Sequence, residues 1–172
     1  MRRSFAAAGS IVFFLVAPVV VAGLIPWWLT GFAASPVWAP IRAFGIVLVS
    51  IGAMALVFSF VRFVVEGVGT PAPVAPTEHL VVGGLYRHVR NPMYVAVVSV
   101  IVGQALVLGE ATLIAYASIA GAAMAAFAHW YEEPALFRRF GESYETYRQN
   151  VPAWWPRIRP WNGVIPDADL DQ

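Results

Sequence analysis

The 172-residue chain contains no cysteine and no lysine. The first absence removes disulfides, thiolate nucleophiles and cysteine-based metal sites. The second removes Schiff-base chemistry on a lysine amine. Charge of either sign is scarce. Charged residues make up 12% of the chain, against roughly 25% in a soluble globular domain. The formal net charge is +1, which leaves no electrostatic footprint for nucleic acid, and none is expected as a partner. His79, His88 and His129 are scattered without ligand spacing, so no metal site is expected.

Apolar residues are abundant instead. They make up 59% of the sequence, and mean hydropathy is +0.68; a membrane protein has this composition. Met1-Arg2-Arg3 opens an apolar run over 6–29. The run exceeds the roughly 7–15 residues of a signal h-region and reaches the roughly 20 needed to span a bilayer. Pro18 lies inside it and is expected to kink it; Trp27-Trp28 suits its interfacial end. A turn over 31–40 leads to a second run, 41–65, with Arg42 and Arg62 placed to snorkel outward. Gly45, Ser50, Gly52 and Ala53 would let another helix approach closely. A third run covers 92–108, Gly109-Glu110 breaks the chain, and a fourth covers 111–131.

The polar connection 66–91 carries Pro71, Pro73 and Pro76, which predict an extended path. From Glu132 the pattern becomes amphipathic. Leu136, Phe137, Phe140, Tyr144, Tyr147 and Val151 recur at helical spacing, with Pro134 fit for the first turn of a new helix. Trp154, Trp155 and Trp161, interleaved with Arg157 and Arg159, suit an interfacial anchor. The tail from Pro166 is expected to be disordered. The reading is a single all-α integral membrane domain over 1–172 with four transmembrane helices plus a C-terminal amphipathic surface helix. Two spans fill 1–65, a loop 66–91, a two-span hairpin 92–131, the surface helix and anchor 132–161, and a tail 162–172. Four spans gather ten arginines on one side and leave Arg42 on the other. The positive-inside rule then puts both termini and the central loop in the cytoplasm, at the cell (inner) membrane. The small-residue faces permit a homodimer.

Two polar clusters meet on that cytoplasmic side. One runs from Gly84 to Tyr94, Gly-Leu-Tyr-Arg-His-Val-Arg-Asn-Pro-Met-Tyr. Asn91 is a good N-cap and Pro92 a good first helical residue, so a helix mouth with unpaired N–H groups is expected beside Arg87 and Arg90. The other cluster is His129-Trp130-Tyr131-Glu132-Glu133. Carboxylates beside arginines suit a ligand carrying both charges. The bland readings are positive-inside anchors for the arginines, a helix start for the glutamates, packing for His129, Tyr144 and Tyr147, and loop positions for His79 and His88. Glu66-Gly67-Val68-Gly69 reads as a flexible helix exit or a weak cofactor candidate.

Both clusters, in order and separated by a two-span hairpin, resemble the isoprenylcysteine carboxyl methyltransferase and phospholipid methyltransferase superfamily of integral membrane enzymes. The first is similar to its Tyr-Arg-x-x-Arg-His-Pro-x-Tyr signature. The second, Glu132-Glu133, Leu136, Phe140-Gly141, Tyr144 and Tyr147, is similar to its Glu-Glu-x-x-Leu-x-x-x-Phe-Gly-x-x-Tyr-x-x-Tyr signature, and Val151-Pro152 follows in the matching stretch. The resemblance covers about residues 80–155. It implies S-adenosyl-L-methionine as methyl donor, with Tyr86, Arg90, Asn91, Pro92, Tyr94, Glu132 and Glu133 toward it. Asn91 stands where the commoner signature has His, and cannot titrate near neutral pH. The implied function is methyl transfer to a lipophilic or small acceptor at the cytoplasmic membrane face, by O-methylation of an isoprenylcysteine-type carboxylate or N-methylation of a phospholipid-type amine. Glu133, His129 and Arg90 are the candidates for any catalytic role; a neutral amine acceptor could use Glu133 or His129 as base. The alternatives are an NADPH-dependent sterol or steroid reductase and a non-catalytic membrane subunit.

Overall fold

A computed structural model describes residues 16–67 and 79–163. The N-terminal part of the first run, the proline-rich part of the connection and the acidic tail lie outside the described residues. Within them the chain is helical, without a strand. Helix α1 spans Val16–Thr30, α2 Ala39–Gly67, α3 Pro92–Leu108, α4 Ala111–Phe127 and α5 Glu133–Asn150; a 3₁₀ turn, Gly84–Arg87, precedes α3. Among the described residues, two stretches are long and apolar enough to cross a membrane, Ala39–Phe63 and the continuous helix Ala111–Asn150; the described part of α1 and α3 are apolar but shorter.

Helix α3 is the centre. It packs against α2, α4 and the middle of α1, and Met93, Ala96, Val97, Val100, Ile101, Ala105 and Leu108 are buried along it. Its crossing with α2 is backbone on backbone. A Cβ on Gly45 would lie 2.8 Å from the Gly103 carbonyl oxygen, and one on Gly52 would lie 2.9 Å from Val100 Cγ2. Of the small residues expected to admit a neighbour, Gly45 and Gly52 do so, whereas Ser50 and Ala53 are exposed. The far end of α3 is closed by Gly109 in the left-handed region, and by Ser35, which donates its N–H to the Leu108 carbonyl at 2.8 Å. Arg42 reaches the Ser35 carbonyl there.

Among the described residues two π-turns interrupt the helices, and each lies just ahead of a proline. The first, Val20–Leu24, precedes Pro26; the turn in which Pro18 is expected to kink the run lies partly outside the described residues. Pro26 supplies no N–H, and the π-turn shifts the register, with Ile25 N–H bonding to Val20 O; together they release the carbonyls of Val21 and Ala22. Tyr116 of α4 donates to Val21 O at 2.8 Å, and Gln104 of α3 donates to Ala22 O at 2.6 Å. Side chains of two neighbours thus satisfy backbone that apolar surroundings would leave bare.

The second π-turn, Ala128–Glu132, precedes Pro134. The expected new helix at Pro134 is therefore a continuation of α4 through a wider turn that makes room for the proline ring. The break falls later, at Gly141, with φ +50° and ψ −123°. No atom crowds that position, so glycine is needed there for its conformation rather than its size.

Candidate functional site

The site forms where the start of α3 meets the π-turn and α5. Helix α3 begins at Pro92, as expected, but Asn91 makes no side-chain cap. Its Nδ2 donates instead to the Ala153 carbonyl at 3.2 Å, and its backbone N–H points to the same oxygen at 3.3 Å. Arg90 N–H donates to Pro152 O at 2.9 Å, Arg157 N–H to His88 O at 3.0 Å and Trp161 N–H to Arg87 O at 2.9 Å. The Arg87 Nε returns to Trp161 O at 2.7 Å, and its Nη2 reaches the Asn162 side chain. Residues 152–162 thus form a strap laid along 87–91. Arg87 and His88, the latter 2.8 Å from the Arg157 carbonyl through Nδ1, belong to this strap contact rather than to the charged cluster.

The cluster itself brings together both sequence motifs. Arg90 Nη1 donates to Glu133 Oε1 at 2.8 Å and to the Tyr144 hydroxyl at 3.0 Å. The pair is mostly enclosed, with side chains 13% and 20% exposed. Tyr94, one turn into α3, donates its hydroxyl to Glu132 Oε1 at 2.7 Å, and the Trp154 ring stacks beside Tyr94, centroids 6.4 Å apart. Consecutive residues on a regular helix diverge by about 100°. Here the neighbouring Glu132 and Glu133 reach partners a turn apart, Tyr94 and Arg90, at the end of the π-turn; such turns recur at functional sites. Burial raises the Glu132 carboxyl above its ordinary range; the Tyr94 hydrogen bond pulls it back and Glu133 adds repulsion.

His129 is 72% exposed, with Nδ1 3.6 Å from Glu133 Oε2. Pro92 is buried at the first helical position. The Tyr86 ring is buried and packs with Phe63; burial pushes its phenol well up, so it stays protonated, and its carbonyl accepts the Tyr147 hydroxyl at 2.7 Å. Of the seven residues expected at a cofactor site, Arg90, Tyr94, Glu132 and Glu133 form the charged cluster. Asn91 holds the strap, Pro92 starts the helix, and Tyr86 packs beneath.

Sequence reasoning gave two of the neighbours only a packing or anchoring role, and Glu66 only a weak cofactor one. Tyr144, read there as packing, is also a hydrogen-bond partner of Arg90. Trp154, read as an anchor, lies against Tyr94. Glu66 accepts from Gly83 N–H at 2.8 Å and from Arg62 at 2.9 Å, and borders a 290 Å³ cleft with Val82, Gly83, Arg87, Trp161 and Gly163. Only its place before Gly67-x-Gly69 pointed to it.

The donor set fits a ligand that carries a carboxylate, an ammonium and hydroxyls. Arg90 Nε is enclosed and has no acceptor, the Glu133 carboxylate is paired with its Nη1, and the Glu132 carboxylate is held by Tyr94. No curated protein and no solved structure matches the chain. A family model for phospholipid methyltransferase matches residues 40–143, which takes in nearly all of α2, all of α3 and α4, the first site motif, and the second as far as Gly141. The chain belongs to the phospholipid methyltransferase family.

Proposed function

We propose that the protein is an integral membrane, S-adenosylmethionine-dependent methyltransferase acting on a lipophilic acceptor at the cytoplasmic face of the cell membrane. In this reading the chain crosses the bilayer four times, both termini are cytoplasmic, and α5 beyond Gly141 lies along the surface. The observation that carries it is the enclosed Arg90–Glu133 pair beside the Tyr94–Glu132 pair, at the mouth of the central helix and inside the matched family region.

When bound, S-adenosylmethionine supplies a methyl carbon already activated by a sulfonium, so the protein's task is binding and orientation. Arg90, through the enclosed Nε, is suited to a carboxylate. Glu132 and Glu133 are suited to an ammonium or to hydroxyls. Positioning of this kind contributes roughly 7–11 kcal/mol when the reacting atoms are aligned. A carboxylate acceptor needs no base. A neutral amine sheds a proton after methylation, and Glu133, with His129 behind it at the solvent side, is placed to receive it. The family match supports the phospholipid amine over the isoprenylcysteine carboxylate as acceptor class. Such an acceptor reaches the site sideways from the bilayer, past the Tyr94–Glu132 contact.

A thermal-shift titration of the detergent-solubilised protein tests this. S-adenosylhomocysteine should raise the melting temperature, and NADPH should not; stabilisation by NADPH instead would indicate a reductase. The double variant Glu132→Gln/Glu133→Gln should fold and lose the S-adenosylhomocysteine response. Retention of that response would make the acidic pair a mere helix start.

A further inference from the structure

Three tryptophans follow α5, and the structure separates them. The Trp161 ring packs on Tyr147, with centroids 5.9 Å apart, and Trp154 lies against Tyr94. Both rings pack against the fold and are partly buried. Trp155 is 84% exposed and Ile158 is 96% exposed. They are the two most exposed large hydrophobic residues among the described ones, and they lie outside every apolar span.

This tip is held firmly. Arg157 N–H donates to His88 O, His88 Nδ1 meets Arg157 O, and Arg157 Nη1 donates to Asn150 O at 2.6 Å. A short loop pinned at three points and bearing two bare apolar side chains calls for a partner. The level of the tip says which one. Trp154 is beside Tyr94, the third residue of α3, so Trp155 sits at the depth where that apolar helix begins. On the four-span reading, that depth is the boundary between headgroups and acyl chains. Tryptophan favours this boundary. Arg159, also exposed, is placed to meet lipid phosphates.

We propose that Trp155 and Ile158 insert into the cytoplasmic interface of the bilayer and dock the site-bearing strap onto lipid. The strap carries the carbonyls that hold Arg90 and Asn91, and Trp154 packs on the Tyr94 contact. The docked tip therefore sets the membrane edge against the entrance proposed for the acceptor. The inference rests on the proposed membrane topology.

The test uses the full chain in nanodiscs of phosphatidylcholine and phosphatidylglycerol brominated on the acyl chains, which quench nearby indoles. Five tryptophans are exposed, Trp27, Trp28, Trp38, Trp130 and Trp155, so Trp155→Phe should remove about one-fifth of the quenchable emission. Adding Ile158→Trp to that variant should restore it. Unchanged quenching in Trp155→Phe, together with no gain from Ile158→Trp, would overturn the proposal and leave a protein partner or second copy as cover for the tip. Failure of the topology is a separate result: wild-type emission would then escape quenching altogether.

Discussion

The Arg90–Glu133 pair joins the two halves of the site, and its removal in steps gives a quantitative test. Arg90→Met leaves Glu133 mostly enclosed without its cation; Glu133→Gln leaves Arg90 without its anion. Breaking a fully buried pair costs roughly 3–5 kcal/mol. Here the side chains keep 13% and 20% exposure, Glu133 has His129 nearby, and Arg90 has Tyr144. Each single change should therefore cost about 2–3 kcal/mol. For a chain of this size that is a fall of about 4–12 °C in melting temperature. With both changed, no uncompensated charge is left. The double variant should fall short of the sum by about 1–2 kcal/mol. Unfolding by sodium dodecyl sulfate in mixed micelles, followed by circular dichroism across the four proteins, supplies the cycle. Strict additivity would refute the coupling drawn from the 2.8 Å contact.

Three further outcomes follow from the same geometry. Burial holds the Glu132 carboxyl above its ordinary range. The stability it contributes is thus full below that range and is lost as pH rises through the raised value. Glu132→Gln escapes that loss, so it should melt higher than wild type near pH 8, by a margin that vanishes toward pH 4, while binding S-adenosylhomocysteine about ten-fold or more weakly; a variant that melts lower at high pH contradicts this. Asn91→Ala should speed hydrogen exchange at the amides of residues 90 and 91, which donate to the strap carbonyls, by about three- to ten-fold, and Asn91→His, whose ring N–H can donate to Ala153 O, should restore it; equal exchange in all three would deny the clamp. Gly103→Val places a Cβ 2.9 Å from the Gly45 carbonyl oxygen and should cost about 1–3 kcal/mol in the same micelle assay, a cost that Gly121→Val, 3.5 Å from its nearest neighbour, should not match.

The framework was legible because its signals are local. Proline after asparagine marks where α3 starts, and Gly109 marks where it stops; the structure returns Pro92–Leu108. Gly45 and Gly52 announced a close crossing, and the crossing is there. The acidic pair and Arg90 carried the site because charges are rare in this chain. The π-turns were not legible. A proline announces a missing donor, but whether the helix kinks, stops or widens depends on which neighbours can satisfy the released carbonyls. For α1 those neighbours are Gln104 and Tyr116, distant in sequence. The strap was hidden for a related reason: most of its bonds run through backbone, which composition does not reveal. Trp154, Trp155 and Trp161 look alike as letters, and only packing distinguishes the one left exposed.

The claim at the centre is that this site transfers a methyl group. Membranes containing the protein are incubated with S-adenosylmethionine labelled by a trideuteromethyl group, and the extracted lipids are read by mass spectrometry. The account predicts lipid species heavier by a trideuteromethyl group in place of hydrogen, formed by the wild type and absent with Glu132→Gln/Glu133→Gln. Label transferred equally by that variant, or no labelled lipid from folded wild-type protein, would contradict it.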